Sequence, residues 1–235
     1  IQSVCSILRP SAEKRGITIC RTLDAFSQPV ADSTMGYILS FARRLPWMDS
    51  QMKQGVWDKI PSRALNETTI GVVGVGNCGS AVLRRAGSFG AGLLGADIRD
   101  IGPNRVEALG VNMVSFEELL ELSDFVSLHC DLNPTSHHLI GTEALKKMKN
   151  SAVLLNVARG PVVDEKALIA ALQAGEIAGA ALDVFEHEPL PAGSPLKDMD
   201  NVMLAPHNCN SSPCAWEAVH WSTVNQLLAA LKAAS

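Results

Sequence analysis

The stretch Thr69-Ile70-Gly71-Val72-Val73-Gly74-Val75-Gly76-Asn77-Cys78-Gly79 decides the fold. Ile70–Val73 reads as a short buried strand, with glycines at 74, 76 and 79 following it into a helix expected over Cys78–Phe89. In that context each glycine has its own task. Gly74 permits a tight turn, Gly76 lets the backbone approach a pyrophosphate, and Gly79 lets helix and strand pack closely. The helix N-terminus at Asn77 and Cys78 then offers amides and a partial positive charge to an anion. Asp97 closes the next apolar run, 21 residues after Gly76. A carboxylate there accepts hydrogen bonds from adenosine ribose hydroxyls and repels a 2′-phosphate, so NAD is expected over NADP. Arg99, two residues on, has the charge to neutralise a phosphate.

Outward from this loop, short β-branched or Leu-rich runs alternate with helical stretches, which is the pattern of a parallel sheet with crossover helices. Further strands are expected at Gly92–Asp97, Phe125–His129, Ala152–Asn156, Gly179–Asp183 and Val202–Ala205. Helices are expected at Ser115–Leu122, Glu143–Lys149, Glu165–Ala174 and Pro213–Ala234. The fold class is therefore α/β, a doubly wound parallel sheet. Ahead of it, Ile17–Cys20 reads as strand-like, and Val30–Arg44 as a long helix ended or kinked by Pro46. Apolar residues at Met35, Ile38, Leu39 and Ala42 give that helix a broad apolar surface, and another subunit is a candidate to cover it.

Of 235 residues, 47% are hydrophobic and 19% charged, which excludes a disordered chain. With 20 Lys and Arg against 24 Asp and Glu and no block of like charge, nucleic acid and anionic membrane are poor partners. No apolar run reaches the ~18–20 residues of a membrane span, and the first residues given lack the charged-then-apolar order of a signal peptide. Six cysteines without a CxxC pair or clustered histidines argue against a disulfide framework or metal site. A cytosolic setting is expected. His137-His138 and His187 read as solvated loop residues, Cys209 as a space-filling residue, and Trp216 and Trp221 as packing residues of the last helix.

In a doubly wound sheet the ligand lies beyond the strand carboxyl ends. His129, Arg159, Asp183 and His207 all fall there. A guanidinium at Arg159 can hold a carboxylate bidentately, and an imidazole at His207 can move a proton near neutrality. Glu186 or Glu188 could orient that imidazole. With a nicotinamide these are the parts for interconverting a 2-hydroxy acid and a 2-keto acid.

At this point the residues resemble the D-2-hydroxyacid dehydrogenase family, which includes phosphoglycerate, glycerate and hydroxypyruvate enzymes and the C-terminal binding protein corepressors. The resemblance runs from about Arg9 to Leu231. It is carried by Ala31-Asp32-Ser33-Thr34, the glycine loop, Leu155-Asn156-Val157-Ala158-Arg159-Gly160, Val163-Asp164-Glu165, Ala181–Leu190 and Ala205-Pro206-His207. It implies that Arg159 is the substrate-carboxylate and catalytic arginine, that Glu188 pairs with the histidine, and that His207 is the general acid/base. Asp183 would bond the nicotinamide carboxamide, while Thr34, His129, Pro134, Val157 and Asn210 would line the cofactor. The family dimerises through the helix matching 30–45. The implied organisation is a remnant of a flavodoxin-like substrate domain over 1–29, a Rossmann NAD-binding domain over 30–210, and a helix over 211–235 returning toward the substrate domain.

This sequence departs from the family at Asn208-Cys209-Asn210, where small residues are usual, and at Pro161, where a second glycine is common. Two functions follow from the resemblance. The first is an NAD-dependent oxidoreductase acting on a small D-2-hydroxy acid. The second, suggested by the corepressor branch, is an NAD(H)-binding dimeric scaffold or sensor.

Overall fold

The computed structural model describes residues 10–20 and 24–234. Seven strands form one parallel sheet in the order β3-β2-β1-β4-β5-β6-β7. They are β1 Thr69–Val73, β2 Gly92–Ala96, β3 Asn112–Met113, β4 Phe125–Leu128, β5 Val153–Asn156, β6 Gly179–Leu182 and β7 Val202–Leu204. Strands buried on both faces read as continuous apolar runs, which is why β4, β5 and β6 contain scarcely any polar side chain. The strand order reverses between β1 and β4, and a crevice opens there beyond their carboxyl ends.

Several expected strands end one residue early. Asp97, His129 and Asp183 thereby come just past the strand ends, at the carboxyl edge of the sheet.

Helix α1, Ser27–Arg43, starts three residues before the expected position and stops where Arg44 adopts a left-handed conformation, φ 56°. Pro46 does not stop it. It sits in the first turn of a second helix, α2, Leu45–Lys53, where a missing N–H costs nothing. The expectation that α1 needs another subunit to cover its apolar breadth is corrected by the packing. Ala31, Met35, Ile38, Phe41 and Ala42 are buried within the chain, together with Ile70, Val72, Leu83 and Leu155. Unpartnered apolar surface appears just beyond α1 instead, at Leu45, Met52, Val56 and Trp57, the last 84% exposed.

Ile17–Cys20 is not a strand; it is irregular and largely exposed, because among the described residues no strand lies beside it to complete its hydrogen bonds. The part of the expected N-terminal remnant at 1–9 and 21–23 lies outside the described residues. The remaining helices are α3 Asn77–Ser88, α4 Pro103–Leu109, α5 Phe116–Leu122, α6 Thr142–Lys147, α7 Glu165–Ala174 and α8 Pro213–Ala234. Trp216 of α8 packs edge-on against Phe26, with ring centroids 5.1 Å apart. Trp221 is 60% exposed, so the expectation that it packs is not met among the described residues, and Val224, Leu227, Leu228 and Leu231 share its exposure. No helix among the described residues is long and apolar enough to cross a membrane.

Candidate active site

The glycine loop takes its expected form. Gly74 has φ +93°, and a Cβ there would meet the His129 backbone at 2.8 Å, so the turn lies directly on the segment after β4. Gly79 lies against the Gly74 carbonyl and would have Val72 Cγ1 2.9 Å from an added Cβ, which holds α3 tight against β1. Helix α3 has no side-chain cap at Gly76, and its first turn faces a cleft of about 870 Å³. Gly74, Gly76, Asn77, Cys78, Asp97 and His129 line that cleft. An uncapped helix start, a glycine cradle and a carboxylate at the end of β2 fit a dinucleotide: pyrophosphate on the loop amides, ribose toward Asp97.

Asp97 is nearly buried, and its carboxylate accepts N–H groups from Val75 at 2.8 Å and Arg99 at 2.9 Å. The Arg99 guanidinium adds two more bonds, at 3.0 Å each. Although burial raises its pKa, these four bonds prevail and hold the carboxyl below its ordinary range. His129 is partly buried beside the loop; burial pushes its ring down to about 4, and its Nε2 lies 2.8 Å from the Ser127 hydroxyl. Burial also pushes the Cys78 thiol up, and the Ser27 hydroxyl lies 3.4 Å from its sulfur.

A second group of residues gathers at the ends of β5, β6 and β7. Asn156, almost fully buried, accepts the Ala158 N–H at 3.1 Å and donates to the Arg159 carbonyl at 3.0 Å. This asparagine turn presents Arg159 to solvent. Gly160 then passes flush against the Phe185 carbonyl, with no room for a side chain, so the arginine turn is braced on the segment that carries Glu188.

His207 sits at φ 54°, a left-handed conformation that a non-glycine residue holds only when its surroundings fix it. Asp183 does so. Its carbonyl accepts the His207 N–H at 2.8 Å, and its carboxylate accepts the Asn208 and Cys209 N–H groups at 2.7 and 3.0 Å. The Nδ1 of His207 lies 2.9 Å from Glu188 Oε2, while Glu188 Oε1 accepts the Phe185 N–H. Burial raises the Glu188 pKa, but the His207 bond, the Phe185 amide and the Arg159 charge outweigh it and leave the carboxyl below its ordinary value. An apolar cavity of about 590 Å³, with Lys197 on its wall, adjoins this histidine pair. Arg159, Glu188 and His207 thus share one edge of the sheet with the dinucleotide cleft.

The other expected cofactor residues are less uniform. Val157 is buried with Val30 and Cys209, forming an apolar wall behind the turn. Thr34 is fully buried and spends its hydroxyl on the Val30 carbonyl at 2.8 Å, so its side chain does not reach the cleft. Pro134 is exposed in a turn whose neighbours Asn133 and Thr135 edge the cleft. Asn210 follows Cys209 in a half-buried turn. Burial pushes the Cys209 thiol up to about 12, which suits a packing residue.

Sequence reasoning missed three features. Asp24–Ser27 form part of the cleft rim, and no local signal marks them. Arg105 of α4 also lines the cleft and donates to Ser80 Oγ at 2.8 Å. His138, expected to be solvated, pairs through Nε2 with Glu186, 48 residues away. His187 is exposed, as expected of a turn residue. Among the described residues no three His, Cys, Asp or Glu side chains gather into a metal site.

Comparison with known proteins agrees with this geometry. Residues 35–209 match the family described as D-isomer specific 2-hydroxyacid dehydrogenase, NAD binding domain. A glyoxylate reductase of Thermofilum pendens is 42% identical over 229 residues, spanning 95% of this chain and 68% of that protein. A D-3-phosphoglycerate dehydrogenase of Methanocaldococcus jannaschii is 39% identical over 94% of this chain and 43% of that protein. The crystal structure of a D-lactate dehydrogenase from Aquifex aeolicus, complexed with NAD and lactic acid, superposes with TM-score 0.87 at 30% identity. That match covers 96% of this chain and 72% of the other.

Proposed function

We propose, from the premise that the chain belongs to the D-isomer specific 2-hydroxyacid dehydrogenases and carries their NAD-binding domain, that it serves an NAD-dependent oxidoreductase. The reaction would interconvert a small D-2-hydroxy acid and its 2-keto acid. The observation that carries this reading is the Glu188–His207 pair, which feels the Arg159 charge and lines an apolar cavity on the same carboxyl edge of the sheet as the glycine loop. Bound NADH supplies the hydride for the carbonyl carbon. Glu188 occupies Nδ1 of His207, which leaves Nε2 as the nitrogen that delivers a proton to the carbonyl oxygen. Glu188, held ionised, orients the ring so that Nε2 faces the substrate. Arg159 grips the substrate carboxylate with its planar fork and fixes the carbonyl between hydride and proton. Asp183 anchors the strained His207 turn through both carboxylate oxygens, with Val157 packed on Val30 and Cys209 beside it; these residues would hold the nicotinamide end of a bound cofactor.

Glyoxylate and hydroxypyruvate are the first substrates to assay, by loss of NADH absorbance, with phosphohydroxypyruvate and pyruvate beside them. His207→Ala should depress turnover and leave NADH affinity nearly intact, since the imidazole handles the proton and not the cofactor. NADH binding without turnover of any 2-keto acid would favour the scaffold or sensor.

A homodimer completes the proposal. Its interface lies over Leu45, Met52, Val56 and Trp57, next to α1 and not on α1's own apolar face, which is already buried. Sedimentation should give twice the 25.0 kDa chain mass. The exposed apolar side of α8 is the surface on which a substrate lobe would rest. The NAD-binding unit of this proposal spans 30–210, and the reaction's setting is the cytosol.

A further inference from the structure

His138 ties three segments of the carboxyl edge to one another. It stands at φ 52°, a left-handed conformation that a residue with a Cβ keeps only where its surroundings fix it. Its N–H donates to the Pro161 carbonyl at 2.8 Å, in the arginine turn after β5. Its ring Nε2 pairs with Glu186 Oε1, in the segment after β6. Its own loop, after β4, lines the dinucleotide cleft through Asn133, Thr135, Ser136 and Leu139. Two more bonds seat that loop along the arginine turn: Ile140 N–H to the Val162 carbonyl at 3.1 Å, and Asp164 N–H to the Ile140 carbonyl at 3.0 Å. The Arg159 guanidinium donates to the Ala158 carbonyl at 2.6 Å, so the fork moves with the backbone of the turn. On the other side, Phe185 meets Gly160 flush and Glu188 follows Glu186 by two residues. Glu186 is held there by its N–H on Glu165 Oε2 at 3.2 Å and by the His138 ring. Whatever fixes Glu186 against the arginine turn therefore fixes the separation of Arg159 from Glu188.

We propose that His138 is a positioning residue for the reaction: its ring, through Glu186, sets the spacing between the Arg159 fork and the Glu188–His207 pair. This rests on the reading of Arg159, Glu188 and His207 as the residues that handle the substrate. The His138 and Glu186 side chains are 39% and 20% exposed, and pairs so open to water add little to stability. Geometry is where the contact acts. A displacement of about 1 Å among reacting groups can cost about 100-fold in rate, so a looser arginine turn should cost about 10-fold. Cofactor affinity should survive, because the cleft wall beside His138 is closed by its own bonds. Asn133 N–H donates to Ser136 Oγ at 2.9 Å, and Ser136 N–H donates to the Asn133 carbonyl at 3.1 Å. Neither bond uses the imidazole.

The test combines steady-state kinetics with glyoxylate and hydroxypyruvate, NADH titration by fluorescence, and the Arg159 Nε–H resonance of the NADH-free chain by NMR. His138→Ala should lower kcat/KM about 10-fold while NADH affinity stays within about twofold of wild type. Glu186→Ala, which leaves the left-handed residue alone, should do the same, and the double variant should be no worse than either single change. His138→Gln, whose amide nitrogen reaches where Nε2 stood, should restore kcat/KM to within about twofold of wild type. The Arg159 resonance should move in both alanine variants and return in His138→Gln, with no turnover needed to see it. An unmoved resonance in His138→Ala beside normal turnover by wild type would overturn the positioning role alone. Losses that add in the double variant would overturn it too, as would NADH affinity falling as far as kcat/KM, since His138 would then serve the cofactor wall. A wild-type chain that binds NADH and turns over no 2-keto acid would end the reading of the reaction, and the positioning role with it.

Discussion

Replacing Gly160 by alanine tests how the arginine turn is braced. Two effects of opposite sign compete. Gly160 needs no positive φ, so an added methyl would stabilise the protein by about 0.4–1 kcal/mol through the unfolded chain alone. The folded state leaves no space for it: the new Cβ would overlap the Phe185 carbonyl carbon and oxygen and lie 2.6 Å from the Glu186 nitrogen. These neighbours are backbone atoms, which cannot rotate aside like the end of a side chain. Overpacking of this kind costs typically 1–3 kcal/mol, and rigid neighbours place it near the top of that range. After subtracting the chain term, a net loss of about 2 kcal/mol remains, which lowers the midpoint of thermal unfolding by about 4–8 °C for a chain of this size. The strain also parts Arg159 from Glu188, so kcat/KM for a 2-keto acid should fall while NADH affinity, set mainly by the glycine loop and Asp97, changes little. Differential scanning calorimetry with NADH titration checks both. An unfolding midpoint at or above that of wild type would refute the close approach on which the site geometry rests.

Other predictions follow from the same contacts. Arg159→Ala should lose about 2–5 kcal/mol of transition-state binding, or about 30- to several thousand-fold in kcat/KM. Asp124 ties the start of β1 to two cations, accepting the Thr69 N–H at 2.8 Å and pairing with Arg63 and Lys149 at 3.1 and 3.2 Å. Asp124→Asn should therefore cost about 1–2 kcal/mol in urea unfolding at neutral pH. Burial raises the Asp124 pKa, yet its partners hold it below the ordinary value, so its contribution is present above the unfolded value of about 4 and is lost as pH falls through the lower folded value. The acid limb of stability should accordingly be shallower in Asp124→Asn than in wild type. His129, pushed down to about 4 by burial, should show no ring titration by NMR between about pH 5 and 8. Its unfolded form takes up a proton near pH 6.5 that the folded form refuses, so it makes stability decline as pH falls from about 6.5 toward 4.

The alternation of strand and helix was legible because each crossover unit carries its own punctuation. Asp164 caps α7 by accepting the Ala167 N–H, and Glu165–Ala174 and Pro213–Ala234 run as expected. The site residues were legible for a related reason. A polar residue ending an apolar run in a parallel sheet has only the carboxyl edge to occupy. What escaped was short or non-local. Strand β3 has two residues, too few for any periodicity, while α4 could have been read from Pro103 in its first turn and left-handed Gly110 at its end. Pro46, expected to end or kink the long helix, instead sits in the first turn of α2, a helix the sequence does not announce. The His138–Glu186 pair joins loops 48 residues apart, which no local pattern announces. The surface of α1 looked too broad for one chain because a sequence shows apolar residues without showing α3 and β5, which cover them.

The most direct measurement is a crystal structure of this chain grown with NADH. The account predicts pyrophosphate oxygens on the amides at the start of α3, adenosine ribose toward Asp97, and the nicotinamide between Val157 and Asp183 with its reactive face toward His207 Nε2 and Arg159. A dinucleotide bound elsewhere, or a nicotinamide turned away from His207, would contradict it.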